Sequence, residues 1–275
     1  PLQGTVGKRI PLAPKFVFLG VECDFSMFTQ GFVTAGLKPG RAESVAATWQ
    51  MIVQAHSASS GELSSLIGKL FFAVSTAFGR VGLAAVAMIR TSDGDATPGS
   101  VFSQAMEFIL VVLPLMKVRK LTMQARRKRM PVLIWTDASY AYEELANGWC
   151  KVDAGLGVVA FDTVTGRGIV AQTQTPAYYF EVFEKKQQYV GQLEGLAALG
   201  GTMTVEAEWP GILADREVIH FIDNTSTIAG LRKGYSSKVD TAKLLMAYWI
   251  FVALNGITPW FEYVPSKHNI ADLPS

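Results

Sequence analysis

The chain has 275 residues, of which 49% are hydrophobic and 17% are charged, and this composition excludes an intrinsically disordered protein. The net charge of +2 is small, and the two cysteines, Cys23 and Cys150, form neither a disulfide framework nor a metal-ligand pattern. With no secretion signal in view, we predict an intracellular protein (cytoplasm or nucleus), and the abrupt ends suggest a piece of a longer chain.

Positive and negative charges are separated along the chain. Residues 1–130 carry 15 Lys and Arg against 7 acids, whereas residues 131–275 carry 10 against 16. The densest basic run has no acid within it and consists of Lys117, Arg119, Lys120, Arg126, Arg127, Lys128 and Arg129. Such a run is either a solvated linker or a phosphate-binding patch, and the residues alone leave both interpretations open.

The first 118 residues are predicted to be mainly helical after a short β start. The stretch "KFVFLGVECDF" at 15–25 is typical of a strand or hairpin followed by a connection. A first helix is then indicated by apolar residues at helical spacing, namely Val45, Trp49, Ile52 and Val53. Ser59 and Glu62 form a capping box for a second helix. Further helices are predicted over 79–90 and 101–118, with a loop between them.

After residue 130 the pattern changes to strands and helices in alternation. "PVLIWTDAS" predicts a strand, and "AGLGVVAFDT" with "IVAQTQT" predicts a β-hairpin. "EKKQQYVGQLEGLAALGG" predicts a helix that ends at its paired glycines. The remaining segments predict a strand, two helices and a strand: "REVIHFID", "NTSTIAGLRKG", "SSKVDTAKLLMAYWIFVALNG" and "TPWFEYV". This order predicts an α/β domain with a mixed sheet and helices against its faces.

The mean hydropathy of +0.25 makes it necessary to consider a membrane span. The apolar stretch 244–261 reaches about the 18 residues that a spanning helix needs, but Asn255, Gly256 and Pro259 interrupt it. A second stretch, 108–116, is too short. A buried helix followed by a buried strand explains 244–261 better, so we predict a soluble protein without a membrane partner.

Four acidic residues lie where their carboxylates could converge. Asp137 ends the first strand of the α/β domain, Glu194 lies within an apolar helix, Asp223 ends the fourth strand and Asp272 follows the last strand. If the first and fourth strands are parallel neighbours, Asp137 and Asp223 emerge side by side. Close carboxylates repel one another unless hard cations such as Mg²⁺ lie among them. Two ions about 4 Å apart can activate water and stabilise a leaving oxygen at phosphorus.

Each acid also has an ordinary structural explanation. Asp137 could end its strand in a turn, Asp223 could cap the helix that follows it, and Asp272 could be a first-turn acid. Glu194 is harder to explain in this way, because a buried acid without a partner is costly. The combination, and not any single residue, indicates a site.

At this point a family resemblance becomes visible. The strings "WTDAS", "GQLEGLAAL", "FIDNTST" and "YVPSKHNIADLPS" resemble the ribonuclease H domain of a retroelement reverse transcriptase, most of all the DIRS-like group. The upstream strings "FVFLGVECDFS" and "SSLIGKLFFAVSTAFGRVGLAA" are similar to the end of the palm and the helical thumb of such polymerases. The resemblance implies a ribonuclease H-like mixed sheet flanked by helices over 131–275, a basic connection over 119–130, and a mainly helical thumb-like region with a short β start over 1–118.

The resemblance also implies an activity. Asp137, Glu194, Asp223 and Asp272 would hold two Mg²⁺ ions, with Mn²⁺ as a substitute, and would hydrolyse the RNA strand of an RNA–DNA hybrid. Contacts to the hybrid are expected from residues near the site and from the basic run: Ser139, Asn224, Thr225, Lys117, Arg119, Lys120, Arg126, Arg127, Lys128 and Arg129. The missing fingers and palm of the polymerase are implied partners, and the oligomeric state is not determined.

Three features depart from the family pattern. No polymerase motif of the Tyr-x-Asp-Asp kind occurs, so this chain cannot by itself synthesise DNA. His268 lies closer to Asp272 than the family's histidine would, which favours an exposed loop residue. The span 140–153 is interpreted as an insertion, whose acids Glu143, Glu144 and Asp153 lie at the surface or disturb docking of the hybrid.

Three other interpretations remain open at this stage. The first is a catalytically inactive nucleic-acid-binding or connection module from a decayed retroelement. The second is a DDE-type integrase of the same superfamily, which the helix-borne Glu194 disfavours. The third is a purely structural α/β protein.

Overall fold

The computed structural model describes residues 13–18, 20–74, 80–115, 119–122, 130–144, 150–183 and 188–275. It divides into two compact units, one formed by Pro1–Gly79 and Ser92–Arg127, the other by Arg80–Thr91 and Lys128–Ser275. Helix α3 (Leu83–Thr91) therefore belongs to the second unit, whereas the sequence pattern grouped it with the first. The reason is packing, because the apolar α3 lies against a long helix of the second unit.

The first unit combines a small antiparallel sheet with helices. Its sheet has the order β1-β2-β3-β4, with bounds Lys15–Phe18, Val21–Asp24, Phe32–Leu37 and Arg119–Thr122. Its helices are α1 (Arg41–Ala55), α2 (Ser60–Phe72) and α4 (Val101–Leu115). The predicted hairpin over 15–25 is present as β1 and β2. The predicted connection contains a further strand, β3, which pairs with β4 from the basic run.

The helix patterns of the first unit are largely confirmed. Val45, Trp49 and Ile52 are buried, and the Trp49 ring lies edge-on to Phe102 with centroids 5.0 Å apart. Val53 was predicted on the same face and is 39% exposed, because it lies at the edge of the apolar stripe. The capping box is present: the Ser59 hydroxyl accepts from Glu62 N, and the Glu62 carboxylate accepts from Ser59 N.

The second unit is built on a five-stranded mixed sheet of order β11-β10-β5-β8-β9. The bounds in chain order are β5 Val132–Ala138, β8 Gly155–Asp162, β9 Gly168–Gln174, β10 Glu217–Ile222 and β11 Thr258–Tyr263. β10 runs parallel to both β5 and β11, while β8 runs antiparallel to β5 and to β9. The first and fourth strands of this sheet in chain order are thus parallel neighbours, which is the condition for Asp137 and Asp223 to emerge side by side.

Helices cover this sheet. Their bounds are α5 Tyr178–Val182, α6 Val190–Glu208, α7 Ile212–Asp215, α8 Thr225–Lys233 and α9 Val239–Leu254. Helix α6 packs against β5 and β8, α8 packs against β10 and β11, and α9 packs against α6. The predicted α/β class, a mixed sheet flanked by helices, is confirmed.

The paired glycines do not end helix α6, so that prediction was wrong. The helix continues through Gly200 and Gly201 to Glu208. A Cβ atom on Gly201 would lie 2.5 Å from Thr136 Cγ2 and 3.1 Å from Val158 Cγ2. Gly201 is therefore needed for the close approach of the helix to the sheet rather than for a turn.

The predicted insertion is a second hairpin. Strands β6 (Ala141–Glu144) and β7 (Cys150–Asp153) lie between β5 and β8 along the chain and pair antiparallel with each other. They form a separate two-stranded sheet. The stretch 244–261 folds as α9 followed by β11, the helix and strand that were predicted. Among the described residues, no helix is both long enough and apolar enough to cross a membrane.

A buried ion pair joins the end of β8 to the start of β10. Arg216 Nη1 lies 2.9 Å from Asp162 Oδ1, and both side chains are largely buried. Hydrogen bonds from Thr165 Oγ1 and Val164 N, together with Arg216, lower the pKa of Asp162 to about 2. Arg216 also donates to the carbonyls of Met130 and Pro131, which fixes the entry into β5.

Candidate metal centre

Three carboxylates converge at one end of the central sheet. Asp137 is the second-to-last residue of β5, Asp223 directly follows β10, and Glu194 lies near the start of α6. Each of them offers an oxygen, and these oxygens all lie within 4.8 Å of one another. This is the spacing that a shared divalent cation needs when several carboxylates contribute oxygens to it.

The sheet register explains why the two aspartates meet. Trp135 in β5 is paired with Phe221 in β10. Two residues further along each strand, the parallel register places Asp137 beside Asp223. Their side chains therefore leave the same end of the sheet on adjacent strands.

Helix packing adds the third carboxylate. Gly201 allows α6 to approach β5 at Thr136. Glu194 lies seven residues earlier in the helix, which is about two turns and keeps it on the same helix face. The helix face that packs on the sheet thus carries Glu194 to the strand ends, where the aspartates are.

The site is electrostatically unfavourable without a cation. Glu194 is 3% exposed, and its Oε2 atom has no hydrogen-bond partner. Burial, followed by the charges of Asp137 and Asp223, raises the pKa of Glu194 to about 9. Burial also raises the pKa of Asp137, an effect that the hydrogen bond from Ser275 opposes. A hard cation would fit this donor set, because it offers charge neutralisation and a partner for the orphan oxygen.

Both oxygens of Asp137 accept hydrogen bonds from residues near the end of the chain. Asn269 Nδ2 lies 3.2 Å from Asp137 Oδ1, and Ser275 Oγ lies 2.6 Å from Asp137 Oδ2. Asn269 is buried and also donates to the Thr136 carbonyl at 3.1 Å. The carboxylate of Asp137 is thereby restrained from two sides.

Asp272 is placed differently from the other three acids. It is exposed on a 3-10 turn (Ile270–Asp272) and does not belong to the close group formed by the described carboxylates. Its charge nevertheless contributes to the raised pKa of Asp137. A role for Asp272 as a fourth ligand therefore stays a prediction.

The polar residues expected to contact nucleic acid flank the site. Ser139 is exposed, and its hydroxyl donates to the Ser275 carbonyl at 2.9 Å. The side-chain oxygen of Asn224 caps α8 by accepting from Ser226 N and Thr227 N. Thr225 begins α8 and is exposed. Asn224 thus has the helix-capping role that the sequence suggested for Asp223.

Most of the basic run lies outside the described residues, namely Lys117, Arg126, Arg127, Lys128 and Arg129. Arg119 and Lys120 are part of strand β4 in the first unit. The phosphate-binding interpretation of this run therefore stays a prediction.

The neighbourhood of the site contains residues that the sequence reasoning missed. Asn269 and Ser275 lie within the quoted string "NIADLPS", where only Asp272 was singled out.

His220 is fully buried in β10, and its Nε2 atom lies 2.8 Å from Thr136 Oγ1. A polar residue in the middle of the apolar string "VIHFI" was the available signal for His220. His268 is exposed in a 3-10 turn, as predicted for a loop residue.

Comparisons with known proteins give weak similarities. A scan against protein-family models and a search of curated proteins found no match. The N-terminal RNase H domain of a Mycobacterium tuberculosis protein is 14% identical, with 53% of this chain and 90% of that chain covered and a TM-score of 0.37. RNase H1 from the archaeon Halobacterium salinarum is 13% identical, with 52% and 93% covered and a TM-score of 0.38.

A third solved structure is similar over more of the chain. It is a foamy viral protease-reverse transcriptase in complex with RNA/DNA hybrid, and it is 13% identical with a TM-score of 0.29. The similarity covers 96% of this chain and 31% of that one. The strand order β11-β10-β5-β8-β9 and the strand directions given above define the fold of the second unit.

Proposed function

We propose that this chain is a metal-dependent nuclease of the ribonuclease H type, and that it hydrolyses the RNA strand of RNA–DNA hybrids as part of a retroelement reverse transcriptase. The observation that carries the proposal is the convergence of Asp137, Glu194 and Asp223, whose oxygens lie within 4.8 Å of one another. Two of the three are buried, and buried carboxylates in such a group must either bind a cation or take up a proton.

The roles of the residues follow from their environments. Asp137 and Asp223 are held at the ends of adjacent strands, so their oxygens are positioned before any ligand arrives. Glu194 must lose its proton to ligate a cation, because burial raises its pKa to about 9. Asp272 would approach from the exposed side. When Mg²⁺ or Mn²⁺ is bound, it supplies activation of a water molecule and neutralisation of charge at the scissile phosphate.

Selection of RNA would depend on the residues around the carboxylates. RNA differs from DNA by its 2′-hydroxyl, which donates and accepts hydrogen bonds in the shallow minor groove. Ser139 and Thr225 are exposed hydroxyl residues next to the carboxylates along the chain. The basic run from Lys117 to Arg129 would hold phosphates of the hybrid through charge alone. Docking onto the fingers and palm of a polymerase belongs to the same proposal.

Cleavage of an RNA–DNA hybrid tests the proposal directly. Each strand is labelled separately, and the chain is compared with Asp137→Asn and with Glu208→Gln, an exposed acid at the far end of α6. We expect Mg²⁺-dependent cutting of the RNA strand by the unaltered chain and by Glu208→Gln, and loss of cutting in Asp137→Asn. Equal cutting by Asp137→Asn would contradict the proposed site. Binding of the hybrid without any cutting would favour the inactive nucleic-acid-binding module.

A further inference from the structure

The segment 269–275, called the strap below, lies directly on the backbone of the central sheet. Its 3-10 turn packs against β5 and β8. A Cβ atom on Gly157 would lie 2.6 Å from the Ala271 carbonyl and 2.7 Å from Ser275 N. A Cβ atom on Gly155 would collide with Ser275 as well. Two glycines in β8 therefore leave the space that the strap occupies.

The strap contributes neutral hydrogen-bond donors to a candidate metal ligand. Asn269 is 4% exposed, and its amide nitrogen bridges the Thr136 carbonyl and Asp137 Oδ1 at 3.1 and 3.2 Å. Its side-chain oxygen accepts from Ala271 N at 3.3 Å, which fixes the amide orientation. Ser275 Oγ donates to the other oxygen, Asp137 Oδ2, at 2.6 Å. The amide nitrogen of Asn269 thus joins the strap to the end of β5, while its side-chain oxygen is bonded within the strap.

We propose that Asn269 and Ser275 are positioning residues, which hold the carboxylate of Asp137 in the orientation that faces Glu194 and Asp223. The inference rests on the proposed metal site. It assigns the strap a role separate from that of Asp272, whose side chain is exposed and lies outside the close group of described carboxylates.

The physical reason is the freedom of an aspartate at a strand end. Its two side-chain torsions turn easily unless both oxygens are held, and a ligand that turns loses affinity for the ion. A carboxylate has about four lone-pair sites, so each oxygen can accept one hydrogen bond and still ligate a cation. Residues that orient metal ligands in this way typically contribute a factor of about 10–100 in metal affinity.

The test is the affinity of the full chain for Mn²⁺, measured by titration calorimetry. The variants are Asn269→Ala and Ser275→Ala, and the control is Asn255→Ala. Asn255 donates to the Phe251 carbonyl at the end of α9, next to the start of β11 and therefore at the other end of the sheet. We expect Asn269→Ala to bind Mn²⁺ about 10–100-fold more weakly, Ser275→Ala to bind it several-fold more weakly, and Asn255→Ala to be unchanged.

A second readout separates positioning from simple loss of structure. Circular dichroism melts show whether each variant is folded at the temperature of the titration. For a positioning role, cleavage of the hybrid by Asn269→Ala returns when Mn²⁺ is raised to saturation, because the ligands are present but poorly oriented. If Asn269→Ala does not fold, Ser275→Ala decides by the same measurement.

The outcomes distinguish this inference from the proposed function. If the unaltered chain binds no Mn²⁺, the proposed metal site is wrong and the inference fails with it. If the unaltered chain binds Mn²⁺ and both strap variants bind it equally well, the inference alone is overturned. Weaker binding by the strap variants, restored cleavage at high Mn²⁺ and a normal Asn255→Ala control would establish it.

Discussion

The imidazole Nε2 of His220 lies 2.8 Å from the hydroxyl of Thr136 in the buried layer of the sheet. Thr136 is the residue directly before the candidate ligand Asp137. His220 is fully buried and its other ring nitrogen has no partner. Burial lowers the pKa of His220 from its ordinary 6.5 to about 3. The histidine therefore stays neutral in the folded protein across the neutral and mildly acidic range.

This neutral histidine predicts a loss of stability in mild acid. Between pH 6.5 and 3 the unfolded chain binds a proton at His220 that the folded chain does not, so unfolding is favoured as the pH falls. At pH 5 the effect on the free energy of unfolding is about 2 kcal/mol relative to pH 7.5. The free energy of unfolding in urea is measured at pH 7.5 and at pH 5 for the unaltered chain and for His220→Gln. The loss of stability between the two pH values should be smaller in His220→Gln by about 2 kcal/mol.

His268→Gln is the matched control for this measurement. His268 is exposed, so its replacement should leave the pH dependence of stability as it is in the unaltered chain. An equal change in both variants would mean that burial of His220 is not the cause.

Glu194 predicts the opposite dependence on pH in the metal-free protein. Its pKa is raised from 4.5 to about 9, so the folded chain holds a proton that the unfolded chain releases. The stability present below pH 4.5 is then lost as the pH rises towards 9. In EDTA at pH 8, Glu194→Gln should be more stable than the unaltered chain by about 4–5 kcal/mol, and at pH 4.5 the two should be similar.

Glu208→Gln serves as the control for Glu194→Gln, because Glu208 is an exposed acid on the same helix. Thermal or urea unfolding in EDTA at both pH values measures the effect. A variant Glu194→Gln that is less stable than the unaltered chain at pH 8 would contradict the unfavourable burial of this carboxylate.

Addition of a divalent cation should offset the destabilisation that the buried Glu194 carboxylate causes in the metal-free chain. A ligand at 100 times its Kd that binds only the folded state adds about 2.7 kcal/mol to the free energy of unfolding. We expect Mn²⁺ to raise the melting temperature of the unaltered chain in a concentration-dependent way and to leave Asp137→Asn unchanged. The same rise with Asp137→Asn would place the bound ion elsewhere.

Asp272→Asn should have a smaller effect than Asp137→Asn. Asp272 is exposed, so its charge is screened by solvent, whereas Asp137 is buried within the close group of carboxylates. We expect Asp272→Asn to weaken Mn²⁺ binding by less than about tenfold, which corresponds to about 1.4 kcal/mol. Calorimetry that finds equal losses for the two variants would show that Asp272 is a full ligand.

The adjacent glycines Gly200 and Gly201 in α6 predict opposite effects of the same substitution. A Cβ atom on Gly201 would meet Thr136 and Val158, and such overpacking typically costs about 1–3 kcal/mol. A Cβ atom on Gly200 would meet nothing within 4 Å, so alanine there should add up to about 1 kcal/mol through helix propensity. Urea unfolding of Gly201→Ala and Gly200→Ala measures both, and a stabilising Gly201→Ala would contradict the close helix–sheet approach.

Much of the fold could be predicted because it depends on local signals. Short apolar runs marked β5 and β10, and the capping box at Ser59 marked the start of α2. In both cases residues that are close in the chain decide the structure. The parallel pairing of β5 and β10, on which the meeting of Asp137 and Asp223 depends, was only a condition at the level of the sequence, and the folded structure meets it.

Other features were decided only by contacts between residues far apart in the chain. The sequence pattern ended α6 at its paired glycines, whereas the helix continues to Glu208. Locally a glycine pair is a stop signal, but here Gly201 is needed because the helix touches β5 at Thr136. Helix α3 joins the second unit through its packing on α9. The bond between Asn269 and Asp137 joins residues 132 positions apart, and no local pattern encodes it.

The sequence by itself determined the α/β class, the strand and helix types and the acids that could form a site, since hydrophobic period and residue chemistry are local properties. Only the tertiary structure decided which of those acids are close and buried: Asp137, Glu194 and Asp223 came together, while Asp272 stayed exposed. It also supplied the strap beneath Asp137. Burial and convergence are sums over distant contacts, so they exist only once the chain has folded.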